Sequence, residues 1–576
     1  MMYSRSNKTF KKKIILSIYV LFSLIVLSRY YKLQISEYDK YKLLGEKNSI
    51  VARELAAPRG IIYDTDSLSI VDNKFIYDLN IIPQHFDKSK FNYDILYKLL
   101  KIEKTYINSI IDSVNKTSYK NQPQLIKRHI DFQTKSLLDE NKLDLKGMYF
   151  SKSPIRTFSD KCNLSHVVGY LRQDKNNKKI MAMSGIEKKY DNILTGKDGV
   201  EYHLVDSKGI DQGMVSEKFN DRDFKPTQGK NLYLSINLHL QQFCEKLIDE
   251  QQKGSIIVSN PNTGEILTML SFPDYDLNSF SGPISNKDWK NLNQQSVFIN
   301  RSVESKYAPG SIFKLILASI ALEKNIISVN DKVNCTGTYD FYDTKFHCWN
   351  KDGHGIVDIR ESIQKSCNIY YYNLIQKMGL DFWAEEIKKF GLGEKTNIDL
   401  LIEETGLVPT RKFMHDYFKD KGGWSTGHLL NLSIGQGEIL VTPIQINSLV
   451  SIICNSGYAF TPHINKNIDT SMKYVAYEND VWSFIKKSMY DAVNKSGGTA
   501  YNAKIEKIKG DVYGKTGTVQ ICSDCDILPH AWFAGFLETD NNNYALTIII
   551  ENGGKGSNIP SKMAKTIFEF IVDNDI

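Results

Sequence analysis

The chain has 576 residues, 41% of them apolar and 24% charged, and a formal net charge of +7. That length exceeds what one hydrophobic core supports, so two or three domains are expected. The positive excess is small and leaves no electrostatic footprint for nucleic acid, and eight cysteines are too sparse for a disulfide-knotted miniprotein.

A basic tail, residues 1–13, carries Arg5, Lys8, Lys11, Lys12 and Lys13 and no acidic side chain. It abuts the apolar run IILSIYVLFSLIVLS, and a helix over residues 14–33 reaches the ~20 residues that cross a bilayer. Tyr30 and Tyr31 suit the interface, while Arg29 and Lys32 can extend toward the headgroups. The basic flank predicts a cytoplasmic N-terminus with the remaining bulk exported. A cleaved secretory signal is the alternative, but no small-x-small pattern follows Ser28, which favours an uncleaved anchor.

Residues 34–227 are polar, rich in Lys, Asn and Tyr, and free of repeats. They end in NDRDFKPTQGK, a charged stretch with Pro226 and Gly229 that has linker character. From residue 228 the patterns sharpen. Residues 232–236 alternate like a strand, residues 239–251 suit a helix, and GSIIVS with EILTML forms a hairpin across NPNTG. Pro309-Gly310 precedes an apolar helix that starts at Ser311 (SIFKLILASIALEK), and residues 363–377 suit a second one. Three strands (VYGKTGTVQI, AWFAGFLE, YALTIIIE) and an amphipathic helix over residues 561–572 close the chain. Strands and helices segregated in this way predict an α+β fold, an antiparallel sheet covered by helices.

Ser311 stands three residues before Lys314, a spacing shared by Ser113–Lys116 and Ser483–Lys486. Only Ser311 follows Pro-Gly at a helix start, where unpaired N–H groups and the dipole favour a developing anion. Positions i and i+3 share a helix face, so the Lys314 amine lies beside the hydroxyl. Its apolar neighbours predict a buried amine with a lowered pKa. Taken alone, the pair also fits a capping serine and a solvated lysine. Ser366-Cys367-Asn368 offers a hydroxyl and an amide to relay a proton and orient a substrate. Lys515-Thr516-Gly517-Thr518 lies on a strand, preceded by Gly514, which permits close approach of a substrate backbone. Its lysine and hydroxyls suit a carboxylate.

In this order, S-x-x-K, S-x-N and K-T-G resemble the signature of penicillin-binding proteins and β-lactamases. Over nearly its whole length the chain resembles a class B penicillin-binding protein. The resemblance includes PRGIIYDTD, GIEKKYDNILTGKDG, NPNTGEILTMLSFPDYDLNSF, GLGEKTNIDL and IGQGEILVTPIQ. It implies a non-catalytic pedestal over 34–227 and a transpeptidase domain over 228–576, with a five-stranded antiparallel sheet flanked by helices. It implies an acyl-enzyme on Ser311, with Lys314 as its base and Ser366, Asn368 and Lys515 completing the catalytic set. The oxyanion would sit between the N–H groups of Ser311 and Thr518. Thr516, Gly517 and Thr518 would hold the substrate carboxylate. The implied ligands are peptidoglycan stem peptides, with β-lactams as inhibitors; no organic cofactor and no nucleic acid are implied. The implied location is the inner membrane with a periplasmic catalytic domain, beside a polytopic SEDS-family (RodA-like) glycosyltransferase. A D,D-carboxypeptidase that uses water, or a scaffold of the wall-elongation complex, would share these motifs. The anchor and the long region before the catalytic domain argue against a soluble β-lactamase.

The segment CTGTYDFYDTKFHCWNKDGHGIVDIRESIQKSCN resembles the elongation-type subgroup, some of whose members bind zinc here. It gathers Cys335, Cys348, His354 and Cys367, a ligand set suited to structural Zn²⁺. Buried free thiols or a Cys335–Cys348 disulfide are the alternatives, and His347 is the competing imidazole. Cys522-Ser-Asp-Cys525 reads as a loop disulfide, with a second metal site as the other possibility.

Overall fold

In the computed structural model the described residues are 3–38, 50–115, 124–159, 164–173, 180–205, 211–214, 225–280, 284, 286–505, 510–522 and 526–576. The apolar run forms one long helix, Tyr3–Tyr31, continued by a π-helical turn over Lys32–Ser36. Within it, Phe10–Ser36 is long and apolar enough to cross a membrane, and none of its apolar window is buried against protein. That exposure separates it from a core helix, whose apolar surface would be covered.

The chain divides into two compact units. The first comprises Met1–Arg59, Lys74–Ile155 and Gly196–Gly229; the second comprises Gly60–Asn73, Arg156–Thr195 and Lys230–Ile576. In the first unit, the helices Tyr93–Leu100 and Lys104–Asn115 send Leu96, Leu100, Ile107 and Ile111 into a core with Leu79, Ile81, Ile126 and Ile130. The spacing of these apolar residues is helical, and Asn92 caps the first helix by accepting from the Asp94 N–H (3.2 Å). A separate antiparallel sheet joins Ile50–Leu55, Gly199–Val205 and Asp211–Met214.

The second unit is built on a five-stranded antiparallel sheet in the order Ile266–Phe272, Gly254–Ser259, Asn543–Ile550, His530–Glu538, Asp511–Val519. Alternation sends successive residues to opposite faces. Phe533, Leu537, Leu546 and Ile548 pack with Met563, Ile567, Phe568 and Ile571 of the closing helix Ile559–Asp573. Trp532, Ala534, Phe536, Ala545 and Ile549 pack on the other face, in one core with the helices Lys314–Glu323 and Pro443–Cys454. Covering both faces makes these strands apolar throughout, as their sequences are. The helix Lys314–Glu323 is correspondingly buried from Lys314 to Ala321.

Two stretches of residues 34–227 pack within the second unit. Ile62, Ile70 and Val71, and then Val167, Val168, Ile186 and Leu194, share one core with Leu234, Ile236, Ile257 and Ile266. A buried ion pair joins Arg156 Nε to Glu187 Oε1 (2.7 Å) in the same unit, and Arg156 Nη2 also donates to the Gly60 carbonyl (2.6 Å). The helix expected over residues 239–251 is shorter, Leu238–Glu245. Past it Leu247 and Ile248 still pack on the same core, and only then does the chain turn polar (DEQQ).

Candidate active site

Pro309 and Gly310 lead into a 3₁₀ turn, Gly310–Phe313, and the α-helix starts at Lys314 rather than at Ser311 as expected. Two close contacts hold the turn. The Gly310 N–H donates to the Gly435 carbonyl (2.8 Å). On the other side, a Cβ on Gly310 would lie 2.9 Å from Val519 Cγ2 and 3.3 Å from the Thr518 carbonyl oxygen. Gly310 has φ +56°, which glycine adopts at little cost. In a 3₁₀ turn side chains i and i+3 eclipse, so Ser311 and Lys314 still fall on one side. Ser311 is half-buried, while Ile312 and Phe313 are fully buried.

Gly435 carries the same constraint from its side. It has φ +71°, and a Cβ there would stand 2.2 Å from the Gly310 carbonyl oxygen. Gly435→Ala combines a left-handed alanine with that overlap and is expected to cost about 2 kcal/mol or more. Urea unfolding reads this directly; an unchanged midpoint and slope would show that the contact is not tight.

The helix expected across Ser366 is broken at that residue. One helix, Ile359–Gln364, starts with a capping box between Asp358 and Glu361, and a second, Asn368–Met378, starts after Cys367. Between them Ser366 takes φ +55°, a conformation that costs a non-glycine residue roughly 1–2 kcal/mol. The carbonyl released by the break gains two donors, Lys314 Nζ (2.9 Å) and Trp349 Nε1 (3.1 Å). Its hydroxyl lies between two amines, Lys515 Nζ at 2.9 Å and Lys314 Nζ at 3.3 Å. Lys314 Nζ also donates to Asn368 Oδ1 (2.7 Å).

Both lysines are 0% exposed. Burial pulls Lys314 down to about 8, against three nearby thiols that push it back up. Burial also takes Lys515 well below the ordinary lysine range, with the charge of Lys314 adding to the effect. Two cations and a hydroxyl in so dry a place favour loss of a proton from one amine. The cluster can therefore accept a proton at one nitrogen and deliver one through the Ser366 hydroxyl.

Lys515 belongs to Asp511–Val519, which ends the order of described strands and so offers an edge to an extended ligand. Alternation places Thr516 and Thr518 on the face opposite Lys515. Thr518 Oγ1 accepts from the Gly556 N–H (3.2 Å). Gly517 allows the strand to approach the nucleophile turn, since a Cβ there would come within 3.0 Å of the Pro309 carbonyl oxygen. Gly514 has a different role from the one expected. A Cβ at that position would meet the Phe533 ring at 2.7 Å, so the glycine makes room for core packing rather than for substrate.

Behind this cluster, Cys335, Cys348, His354 and Cys367 bring one ligand atom each to within 4.8 Å of one another. His354 Nδ1 stands 3.5 Å from both Cys335 Sγ and Cys348 Sγ. Cys335 pairs with Gly355 across a two-stranded ladder, Cys348 follows the hairpin Thr338–Phe341/Thr344–His347, and Cys367 caps the helix Asn368–Met378. Tetrahedral zinc with ~2.3 Å Zn–S bonds sets sulfurs about 3.8 Å apart, so this spacing fits. The three thiols are buried and free, which leaves no Cys335–Cys348 disulfide. Hydrogen bonds from Cys367 and His354 hold the Cys348 thiol well below the ordinary range. His354 Nε2 is buried with no hydrogen-bond partner among the described residues. His347 is exposed and stands outside the group. Cys522 is disulfide-bonded, and Cys525 lies outside the described residues.

Sequence reasoning did not single out Trp349 and Gly435, both of which hold this site. Trp349 lay inside the FHCW string and Gly435 inside IGQGEI, two signals used there only for their resemblance.

Comparison with protein families matches residues 254–573 to the penicillin binding protein transpeptidase domain and residues 54–234 to the penicillin-binding protein dimerisation domain. The chain is 26% identical to the peptidoglycan D,D-transpeptidase MrdA of Salmonella typhimurium, across 99% of this chain and 97% of that protein. It is 28% identical to MrdA of Acinetobacter baumannii, across 95% of this chain and 85% of that protein. Among solved structures, a complex between PBP2 and MreC from Helicobacter pylori superposes with a TM-score of 0.76 at 26% identity, covering 90% of this chain and 99% of that one. A peptidoglycan synthase complex that coordinates polymerization and crosslinking gives 0.74 at 25% identity, covering 97% of each chain.

Proposed function

The chain belongs to the penicillin-binding protein transpeptidases, and on that premise we propose that it is the elongation-type peptidoglycan D,D-transpeptidase, with Ser311 as its acylated nucleophile. The observation that carries the assignment of roles is the buried chain Lys515–Ser366–Lys314–Asn368 beneath the Ser311 turn. Lys314, as the neutral amine, takes the Ser311 proton while Oγ attacks the carbonyl between two terminal D-alanines. Asn368 orients that amine by accepting one of its hydrogens. The oxyanion rests on the N–H groups of Ser311 and Thr518. Thr516, Gly517 and Thr518 hold the terminal carboxylate along the strand edge. Ser366, between the two amines, passes a proton to the departing D-alanine, with Lys515 as the second station. An amine from a neighbouring strand then takes the acyl group.

The long N-terminal helix supports a single-pass inner-membrane anchor, with the basic tail cytoplasmic and the catalytic unit periplasmic. The partners in this reading are a RodA-like SEDS glycosyltransferase and, following the solved PBP2 complex, an MreC-like protein. Cys335, Cys348, His354 and Cys367 would hold one Zn²⁺, which would supply a structural cross-link and no chemistry at Ser311.

Intact-protein mass after incubation with a penicillin tests the reading, beside a Ser311→Ala control. A stable adduct on the parent alone is expected. Antibiotic destroyed without an adduct would mean a hydrolase, and antibiotic left intact by an unmodified chain would mean a scaffold.

A further inference from the structure

The strand Asn543–Ile550 runs into the string ENGGKG, from Glu551 to Gly556, whose two ends meet the two halves of the catalytic turn. At one end, Glu551 Oε1 accepts from the Tyr307 hydroxyl (2.8 Å) and from Arg301 Nε (2.9 Å). Tyr307 stands four residues before Ser311. At the other end, the Gly556 N–H donates to Thr518 Oγ1 (3.2 Å). A Cβ on Gly556 would lie 2.3 Å from the Gly517 carbonyl oxygen, so the string lies tight against that strand. Ser311 and Thr518 carry the two N–H groups assigned above to the oxyanion.

The nucleophile turn is held from two directions. On the helical side, Tyr307 and Val441 exchange both backbone hydrogen bonds (2.9 and 2.8 Å), and Gly310 reaches the Gly435 carbonyl. On the sheet side, Trp532 Nε1 donates to the Ala308 carbonyl (3.2 Å), and the Tyr307 ring meets His530 and Trp532 edge-on at 5.6 and 5.9 Å. The Asn552 N–H fixes His530 by donating to its Nδ1 (3.1 Å). Arg301 is buried, its backbone N–H donates to Ser271 Oγ on the strand Ile266–Phe272 (2.9 Å), and its charge offsets the Glu551 carboxylate. The fit is close, since a Cβ on Gly310 would stand 3.4 Å from the Thr518 nitrogen. Thr518 belongs to the sheet, so the sheet-side contacts set its distance from Ser311. Without them, the helical-side bonds would let the turn draw away.

We infer that Glu551 is a positioning residue for acylation: through Tyr307 it holds the nucleophile turn against the sheet, which keeps the Ser311 and Thr518 N–H groups at the spacing an oxyanion needs. The inference rests on the transpeptidase reading and goes beyond it by naming what fixes the oxyanion site. Donors stabilise such an anion at about 2.7–3.1 Å, and loss of one slows acyl transfer roughly 10²–10³-fold. A widened gap weakens a donor without removing it, so a smaller loss is expected. In this role Glu551 exchanges no proton during the reaction.

The test compares Tyr307→Phe, Glu551→Ala and the double variant in the full-length chain in detergent. Time courses of penicillin acylation give a limiting rate constant and a half-saturating concentration, neither of which depends on how much of the chain is folded. Each single variant should lower the limiting rate about tenfold or more. Half-saturation should stay within about twofold of the parent, and the rise of rate with pH should persist, because Lys314 is untouched. A boronic acid bearing a penicillin side chain gives a second reading. Ser311 Oγ adds to its boron, Lys314 takes the serine proton, and a boronate oxygen occupies the oxyanion site. Its affinity should fall by about the same factor as the rate. The double variant should fall no further than Glu551→Ala, and Glu551→Gln, whose amide oxygen still accepts from Tyr307, should stay within about threefold of the parent. Parental limiting rates in both single variants overturn the inference. So do losses that multiply in the double variant, or a slowed rate with boronate affinity unchanged. A parent chain that penicillin leaves unacylated overturns the functional reading itself.

Discussion

Lys314→Ala is expected to slow acylation of Ser311 by penicillin roughly 10²–10⁴-fold, the range for loss of a positioned general base. In the parent, the rate should rise as pH climbs through about 8, because burial places the Lys314 titration there and only the neutral amine accepts the serine proton. Below that pH the amine is protonated and the base is absent; above it the rate levels off. The variant should lose this rise altogether. Burial is the larger cause that lowers Lys515, and the charge of Lys314 adds to it. With that charge removed, Lys515 holds its proton more firmly and becomes a poorer base. Rapid-quench mass measurements between pH 6 and pH 9.5 decide the matter. A variant that keeps both the parental rate and the parental pH profile would falsify Lys314 as the base.

The spacing of Ser311 and Lys314 was legible in the sequence because i, i+3 neighbours share a side in an α-helix and in a 3₁₀ turn alike. The kind of turn was not legible. It depends on Gly435 and Val519, which lie far along the chain and close on Gly310 from two sides. Ser366 shows the same limit more sharply. The string IQKSCNIYYYNLIQK suits an uninterrupted helix, yet the helix breaks where Lys314 and Trp349 capture the Ser366 carbonyl. Tertiary donors here outweigh local propensity. Long-range packing within residues 34–227 was hidden for a related reason. Ile62, Val71, Val167 and Ile186 are apolar residues in polar surroundings, and nothing local says that their core partners are Leu234 and Ile257. The central sheet was easier, since most of its strands are largely apolar runs between clear turns. The cysteine and histidine group was legible as a donor set. Its convergence came from the pairing of Cys335 with Gly355, which spacing alone does not give.

That convergence connects the proposed metal to the catalytic turn. Cys367 lies between Ser366 and Asn368, and its sulfur belongs to the group that also includes Cys335, Cys348 and His354. Ser366 holds a left-handed backbone that costs roughly 1–2 kcal/mol and persists only while its neighbours fix it. Cys367→Ser should therefore lower metal content from about one zinc per chain toward none. It should also slow penicillin acylation roughly 10²-fold, since a relaxed turn carries the Ser366 hydroxyl away from both amines. Cys244→Ser is the matched control, because Cys244 is a buried free thiol in a different core and should leave metal content unchanged. Metal analysis and acylation rates on the same preparations separate the possibilities. Zinc retained after Cys335 and Cys348 are both replaced by serine would remove the metal from this site. Zinc lost with acylation intact would make the metal a cross-link of the surrounding fold, with the Ser366 turn held by Lys314 and Trp349 alone.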